Sequence, residues 1–332
     1  LRELRESETK SDHKLWTEAS KAGWLAVLAP ESAGGLGLGI TDLCLLSEEL
    51  GKGLITEPIT AVAATAGAVS DDVLATAILG GEKIVLPAFM ESARSAGDET
   101  PMVTSLSNNG ETVLDGKKSG IPYPTETNIF IVSAMSPGGI ILVAVDRDDT
   151  IIAEGDTIDG GTVGTLDLSG SRGRVIVGPN EAPATIGNLL NTLYLANAAE
   201  LLGVMETAQD ITIEYLKTRE QFGKPIGSFQ ALQHRAVDNL ASIEMSRSLI
   251  YQSAGAFDGD LAAPGLASAA LSRAAKSALD ICKSAVQMHG GIGFTDEYDI
   301  GLYLKRAMTL SARYGNAGVH RKRYAALAQL HV

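Results

Sequence analysis

The chain has 332 residues, of which 45% are hydrophobic and 20% are charged, which is the composition of a globular protein. Its formal net charge of −13 disfavours binding to nucleic acid or to an anionic membrane surface, because both are polyanions. No apolar run is long enough to span a membrane and no secretory signal is visible, so we expect no membrane insertion and a cytoplasmic location. The two distant cysteines, Cys44 and Cys282, are expected to be buried free thiols, although one disulfide is formally possible.

The first region, residues 1–82, is predicted to be an N-terminal helical domain. Leu15, Trp16 and Ala19 recur at helical spacing. The glycines within 33–39 could suggest a phosphate-binding loop, but no strand precedes them and no Lys-Ser/Thr pair follows them. We therefore interpret this segment as a tight loop between helices.

The second region, residues 83–182, has the pattern of a β domain. Short runs rich in β-branched residues alternate with turn sequences such as Asn108-Asn109-Gly110. Such runs predict a small β-barrel or sandwich. The recognisable strands are 84–86, 112–114, 129–132, 140–145 and 175–177.

The third region, residues 183–332, returns to helical sequence. Long alanine- and leucine-rich stretches are broken at 223–225, at 259–264 and at 289–291. Three or four long antiparallel helices are expected, which favours a four-helix bundle. The complete order predicts an α+β multidomain protein with an N-terminal helical domain, a middle β-barrel or sandwich and a C-terminal four-helix bundle.

Two motifs stand out in the third region. The first is Tyr215 to Ile226, which contains Arg219-Glu220-Gln221-Phe222-Gly223 and is followed by Phe229-Gln230, and the second is Gln287 to Thr295, which begins Gln287-Met288-His289-Gly290-Gly291. Both resemble signatures of the acyl-CoA dehydrogenase family. The first resembles the R-x-x-F-G loop between bundle helices of that family, and the second resembles its Q-x-x-G-G turn. Weaker similarities at 23–39 and at 114–118 follow in the family's order, so the resemblance covers nearly the whole chain. It implies the acyl-CoA dehydrogenase fold and an FAD cofactor.

The residue types in these motifs suit the adenosine diphosphate end of FAD. The guanidinium of Arg219 is planar and permanently charged, which matches a diphosphate. Gly290 and Gly291 carry no side chain, so the backbone can approach an anion closely. Phe222 can cover an adenine ring. In the family such residues serve a FAD that belongs mainly to the neighbouring subunit. The implied cofactor-binding residues of this chain are Arg219, Gln221, Phe222, Gln230, Gln287, Gly290 and Gly291.

Each motif taken singly has an ordinary structural explanation. Arg219 and Gln221 could lie at a solvated helix end, and Gly290-Gly291 could be a helix C-cap. The occurrence of both motifs together favours the cofactor site. His289 is expected to pack within its turn. The chain has five histidines, and their spacing is not that of metal ligands, so no metal site is predicted.

The catalytic carboxylate of the family has no counterpart at either of its expected positions. In the family a glutamate removes a proton from Cα of the thioester while a hydride passes from Cβ to the flavin. The commoner glutamate lies in a Y-E-G-T motif, and here Tyr314 or Gly315 takes its place, depending on the residues aligned. The alternative position, on the first bundle helix, falls near Leu193. The catalytic residue is therefore unassigned, and Glu200, about two helical turns from Leu193, is the remaining candidate.

The residues that hold the flavin ring in the family are also replaced. Gly120 stands in the place of a tryptophan, and Met90 and Pro122 stand in the places of threonines. Proline has neither an N–H nor a hydroxyl, so that hydrogen-bond donor is lost. Because the adenosine-end motifs are intact, we expect that this chain completes the FAD site of a partner chain. Paired subunits of this kind resemble the heterotetrameric acyl-CoA dehydrogenases of actinobacterial steroid side-chain breakdown.

These observations predict a subunit of an FAD-dependent acyl-CoA dehydrogenase. The resemblance implies α,β-dehydrogenation of a CoA thioester in fatty acid or steroid side-chain catabolism, with electron-transfer flavoprotein or a similar acceptor. It also implies a homo- or heterotetramer. The alternative is a non-catalytic subunit that completes the FAD site of a catalytic partner. A third interpretation keeps the fold and changes the chemistry to that of a flavin oxidase or monooxygenase.

Overall fold

The structure is a computed structural model that describes residues 10–69, 71–92, 95–97, 100–108, 111–259, 261, 263 and 265–329. The predicted turn at Asn109-Gly110 lies outside these residues, as do positions 260, 262 and 264 of the predicted helix break. The chain packs as two compact units. The first unit contains the chain up to Leu43 together with Thr56–Leu193. The second contains Cys44–Ile55 and the chain from Tyr194 onward.

Short helices form the N-terminal part of the first unit. The Asp12 side chain caps the first helix by accepting the N–H groups of Lys14 and Leu15. The Asp71 side chain caps the fourth helix in the same way and also pairs with Arg174 at 2.6 Å. The helices are α1 (His13–Lys21), α2 (Ile40–Lys52), α3 (Ile59–Ala68) and α4 (Asp72–Leu79), of which α2 continues into the second unit.

The rest of the first unit is built mainly from β-strands. Strand β5 pairs with β6 along its whole length and meets β2 at the pair Met135 and Thr104, which closes the ring β5-β6-β9-β3-β2 into a barrel. Strand β1 adds to β5 in parallel. The strands are β1 (Val85–Ala88), β2 (Thr104–Asn108), β3 (Glu111–Asp115), β4 (Lys117–Pro122), β5 (Ile129–Ser136), β6 (Gly139–Asp146), β7 (Ile151–Asp156), β8 (Thr162–Asp167) and β9 (Ser171–Val177).

Three of these strands form a separate antiparallel sheet in the order β4-β8-β7. The pairing of β4 with β8 shifts between Ser119 and Ile121, which leaves Gly120 as a bulge. Gly120 has a φ of +71°, a conformation that favours glycine. Strand β4 is therefore bent at the position where the family resemblance implies a flavin contact.

Long helices dominate the second unit. Helix α7 packs against α6, α8 and α9. Helix α5 has 37 residues, or about 55 Å at 1.5 Å per residue, and it begins in the first unit. The second unit's elements are α5 (Ala182–Thr218), β10 (Glu220–Gln221), β11 (Lys224–Pro225), α6 (Gln230–Asp258), α7 (Leu266–His289), α8 (Ile300–Leu310) and α9 (Ala317–Leu327).

Two glycines allow α2 and α5 to cross closely within the second unit. A Cβ on Gly203 would lie 1.9 Å from the Glu48 carbonyl oxygen, and one on Gly51 would lie 2.1 Å from the Glu200 carbonyl oxygen. No side chain fits at either position, so the crossing depends on both glycines.

The architecture agrees with the predicted order of helices, strands and helices. The secondary structure changes near the predicted boundaries at 83 and 183, while the division into three domains stays a prediction. Cys44 and Cys282 are buried and free, as expected. Among the described residues, no helix is long and apolar enough to cross a membrane.

Candidate functional site

A two-stranded hairpin follows α5 and carries the first motif. Strands β10 and β11 pair through Gln221 and Lys224, and the two residues between them, Phe222 and Gly223, both have positive φ angles of 57° and 77°. This is the backbone of a type I′ turn. The Phe222 ring is 91% exposed, and its edge meets the Phe229 ring at 6.1 Å between centroids. The hairpin thus presents Gln221 and Phe222 to solvent.

The second motif forms the C-terminal end of α7. Gln287 is exposed in the last turn of the helix, and Gly290 caps it with a positive φ of 65°, which favours glycine. The Gly290 N–H donates to the Gln287 carbonyl oxygen, so it satisfies one of the free carbonyl groups at the helix end. A Cβ on either Gly290 or Gly291 would meet nothing within 4 Å. The feature that these glycines provide is open space beside the backbone.

A buried aromatic contact joins the two motifs. The Tyr215 and His289 rings stack at 4.4 Å between centroids, and the Tyr215 hydroxyl donates to the His289 carbonyl oxygen at 3.2 Å. His289 is 3% exposed, and its Nδ1 lies 2.8 Å from the Ala285 carbonyl oxygen. Burial lowers the pKa of His289 despite that hydrogen bond, so the ring is neutral at physiological pH. His289 packs in the turn, as predicted.

The Arg219 guanidinium is exposed at the start of the hairpin, which also contains the exposed charged residues Glu220 and Lys224. The Arg219 backbone is held by hydrogen bonds to Tyr215 and Ile226, both 2.8 Å long. Among the described residues, no carboxylate lies within salt-bridge distance of the Arg219 side chain, which is exposed. Gln230 opens α6 and is also exposed. An exposed arginine without a carboxylate partner among the described residues can bind an anion from outside the chain.

Comparisons with known proteins identify the family. The family model described as acyl-CoA dehydrogenase, C-terminal domain, matches residues 184–328, and the N-terminal domain model matches residues 1–77. The acyl-CoA dehydrogenase IpdE2 of Mycolicibacterium smegmatis is 31% identical over 313 residues, which cover 92% of this chain and 85% of the relative. The chain belongs to the acyl-CoA dehydrogenase family. FAD is the cofactor of this family of enzymes.

Solved structures agree with this assignment across the whole acyl-CoA dehydrogenase chain. A structure described as the Tcur3481-Tcur3483 steroid ACAD G363A variant has a TM-score of 0.91 and 31% identity, covering 99% of this chain and 92% of that one. The ChsE4-ChsE5 complex from Mycobacterium tuberculosis has a TM-score of 0.89 and 26% identity, covering 100% and 92%.

The residues present at the joined motifs fit the anionic end of FAD. Arg219 supplies an unpaired cation, Phe222 supplies an exposed aromatic ring, and Gly290 and Gly291 leave space that a Cβ would fill. The sequence prediction for these residues is physically reasonable and stays a prediction. Tyr215 is the first residue of the first motif, but the sequence assigned it no role, although its position four residues before Arg219 places it about one helical turn away.

Glu200 is not available as a catalytic base in this acyl-CoA dehydrogenase. Its carboxylate is 3% exposed and accepts a short hydrogen bond from Arg306 Nη2. Arg313 Nη1 lies 3.5 Å from the other carboxylate oxygen. Arg306 is 1% exposed and also donates to the Ile55 carbonyl oxygen at 2.6 Å. The Glu200 carboxylate is thus buried and occupied by two guanidinium groups, so we assign the pair a structural role.

The two expected positions of the family glutamate contain no carboxylate. Burial raises the pKa of Tyr314 to about 12, so its phenol stays protonated at neutral pH. Gly315 is buried with a φ of 94°, a conformation that a glutamate rarely adopts. Leu193 is buried on α5. The Tyr314 carbonyl oxygen accepts a 2.8 Å hydrogen bond from Nε2 of His320, which holds this loop in place.

The predicted flavin-ring residues lie together in the first unit. A Cβ on Gly120 would lie 3.4 Å from the Met90 methyl carbon and 3.7 Å from its sulfur, so a thioether borders this position. Lys118 is buried and pairs with Glu91 at 2.7 Å. The Ser119 hydroxyl, which the sequence analysis passed over, is buried and has no hydrogen-bond partner among the described residues. It precedes Gly120 directly in the chain, near Pro122, which stands in the place of a family threonine.

Proposed function

We propose that this chain is a subunit of an FAD-dependent acyl-CoA dehydrogenase, and that it supplies the Arg219 hairpin and the 287–291 turn to the adenosine diphosphate end of the cofactor. The observation that supports this proposal is the stacking of Tyr215 on His289, which joins both motifs around open space. Arg219 would bind the diphosphate, and Phe222 would cover the adenine ring. Bound FAD supplies the acceptor for the hydride that leaves the acyl chain.

We further propose that the proton acceptor comes from a different chain. Tyr314 keeps its proton because of its raised pKa, and Glu200 is held by Arg306 and Arg313. A general base contributes about a hundredfold to ten-thousandfold in rate, so its loss is not a minor change. A heteromeric assembly would place a catalytic chain beside this one. The second candidate function, a non-catalytic subunit that completes a partner's FAD site, rests on the same observation.

The substrate is proposed to be a CoA thioester whose acyl group derives from a steroid side chain. The support is the similarity to a structure described as a steroid ACAD, at 31% identity and a TM-score of 0.91. The proposal also includes electron transfer to electron-transfer flavoprotein or a similar acceptor. It further includes a tetrameric assembly and a cytoplasmic location.

The cofactor assignment is tested by FAD retention. Arg219→Gln removes the charge and keeps a polar side chain, and a charge-assisted hydrogen bond contributes about 1.5–3 kcal/mol. We expect FAD to bind roughly tenfold to hundredfold more weakly to the assembled protein. The matched control is Arg235→Gln, an exposed arginine on α6 outside the hairpin. Equal FAD content in Arg219→Gln and wild-type assemblies of verified composition would contradict the assignment.

The need for a partner is tested with the chain alone. The purified chain is loaded with FAD and mixed with a panel of acyl-CoA thioesters while flavin absorbance is followed. We expect little bleaching by the chain alone and rapid bleaching after the partner chain from the native host is added. Rapid stoichiometric bleaching without a partner would mean that this chain carries a base of its own.

A further inference from the structure

A second concave site lies in the second unit, between α6, α7 and α9. The cavity has a volume of about 440 Å³, which lies within the range of small-ligand pockets. Its polar lining is rich in cations and hydroxyl groups. The lining includes Ser242 of α6, Arg273, Lys276 and Asp280 of α7, and Arg321 and Tyr324 of α9.

The charges in this cavity are not balanced. Lys276 pairs with Asp280 at 2.5 Å. In the described part of the chain, neither Arg273 nor Arg321 has a carboxylate within salt-bridge distance. Within the described residues, Nη2 of Arg273 lies 3.7 Å from the Met245 sulfur, which is a weak acceptor. Nε of Arg273 is buried without any acceptor among the described residues. Buried donors of this kind are uncommon in folded proteins.

We propose that this cavity binds a phosphate group, either as inorganic phosphate or as part of a phosphate ester. Three cations and one carboxylate leave two positive charges, which match a phosphate dianion. Arg273 and Arg321 bring planar guanidinium groups from two helices, and such groups bind phosphate oxygens in pairs. A phosphate offers more acceptor oxygens than a carboxylate side chain does. The number of donors here therefore favours phosphate over an acidic residue of a second chain.

This cavity is separate from the proposed cofactor site. Arg273 and Gln287 lie on the same helix, α7, and 14 residues separate them. At 1.5 Å per residue the separation along the helix is about 21 Å. Phosphate binding at Arg273 therefore does not depend on the Arg219 hairpin, and the two proposals can fail independently.

The test measures phosphate binding by calorimetry in a low-salt, phosphate-free buffer, with inorganic phosphate and glycerol 3-phosphate, an ester without an adenine ring, as separate ligands. We expect saturable binding to the wild-type protein, roughly tenfold or more weaker binding to Arg273→Gln and to Arg321→Gln, and no change in Lys283→Gln. Lys283 is an exposed cation on α7 that does not line the cavity. Tighter binding of the ester would identify a phosphate ester as the ligand, and equal binding would identify free phosphate.

Three results would overturn the proposal. The first is the absence of saturable binding to the wild-type protein, and the second is equal binding to wild-type and to Arg273→Gln. The third is a change of oligomeric state in Arg273→Gln, measured by light scattering, when the wild-type protein binds no phosphate. That combination would mean that a carboxylate of another subunit occupies the cavity. Circular dichroism verifies that each variant is folded, and Arg219→Gln should bind phosphate as the wild-type protein does.

Discussion

Replacing Glu200 with glutamine should lower the stability of the protein and leave its rate of flavin reduction nearly unchanged. The substitution removes the negative charge that Arg306 and Arg313 share and keeps the size of the side chain. Arg306 is 1% exposed and cannot reach water in the folded state. It also donates a hydrogen bond to the Ile55 carbonyl oxygen. The buried guanidinium would then lose the Glu200 carboxylate with which it pairs.

The size of the effect follows from this burial. Breaking a buried ion pair by removing one partner costs about 3–5 kcal/mol. With about 2.1 cal/mol/K per residue, the unfolding entropy of 332 residues is roughly 0.7 kcal/mol/K. The loss should therefore lower Tm by roughly 4–7 °C. The matched control is Glu214→Gln on the same helix, whose pair with Lys217 is exposed and should contribute about 0–1 kcal/mol.

Thermal unfolding by calorimetry, at one protein concentration and with FAD saturating, measures both variants. Flavin reduction by acyl-CoA in the assembled protein is then followed below the unfolding transition. We expect Glu200→Gln to lose stability and to keep its rate of flavin reduction within about twofold of wild type, because a structural pair does not transfer the proton. A variant with unchanged Tm and a rate lowered about a hundredfold or more would refute this reasoning and make Glu200 the base.

Three further predictions concern other sites. Gly203→Ala should destabilise the second unit by about 3 kcal/mol or more in chemical denaturation, because its Cβ would lie 1.9 Å from the Glu48 carbonyl oxygen; an unchanged midpoint would contradict the close crossing. Asp71→Ala should cost about 1 kcal/mol at pH 7, since a helix cap is lost. The hydrogen bond from the Leu74 N–H, together with Arg174, lowers the folded-state pKa of Asp71. The stability that Asp71 contributes should therefore be complete above its ordinary pKa of 3.8 and should disappear as pH falls through the lowered pKa. A stability difference that does not change from pH 7 to about pH 2 would contradict this assignment. Tyr314→Phe should change the rate of flavin reduction by less than about twofold, because a phenol with a pKa of about 12 is not a base at neutral pH, and a hundredfold loss would show that it is.

The sequence predicts the strands that are buried on both faces better than those on the separate sheet. Strand β5 was recognised because Ile129–Ser136 is a nearly continuous apolar run and most of it is buried. Strand β7 was missed because nearly all of Ile151–Asp156 is exposed and contains acidic residues and a glycine. Strand β4 was missed because Gly120 and Pro122 interrupt the alternation of side chains. Strand β8 pairs with both segments: it is distant from β4 along the chain, whereas β7 joins it in a local hairpin.

At the candidate site, features set by neighbouring residues could be predicted from the sequence, and contacts between distant residues could not. The composition of the two motifs is local, so the cation at Arg219 and the helix end at Gly290 could be predicted from neighbouring residues. The contact of Tyr215 with His289 spans 74 positions, and the ion pair of Glu200 with Arg306 spans 106. No spacing rule covers such distances along the chain. Glu200 was therefore a candidate base in the sequence and is an occupied ion pair in the structure.

The close crossing of α2 and α5 has a consequence during synthesis of the chain. Gly51 leaves the ribosome 152 residues before Gly203, and at about 5–20 residues per second this is a delay of roughly 8–30 seconds. Throughout that time Cys44–Ile55 has been made and the part of the second unit against which it packs has not. The nascent polypeptide must therefore keep an apolar segment from aggregating until α5 emerges. A chain truncated after residue 193 would lack the part of the second unit against which Cys44–Ile55 packs. Such a chain should stay bound to chaperones.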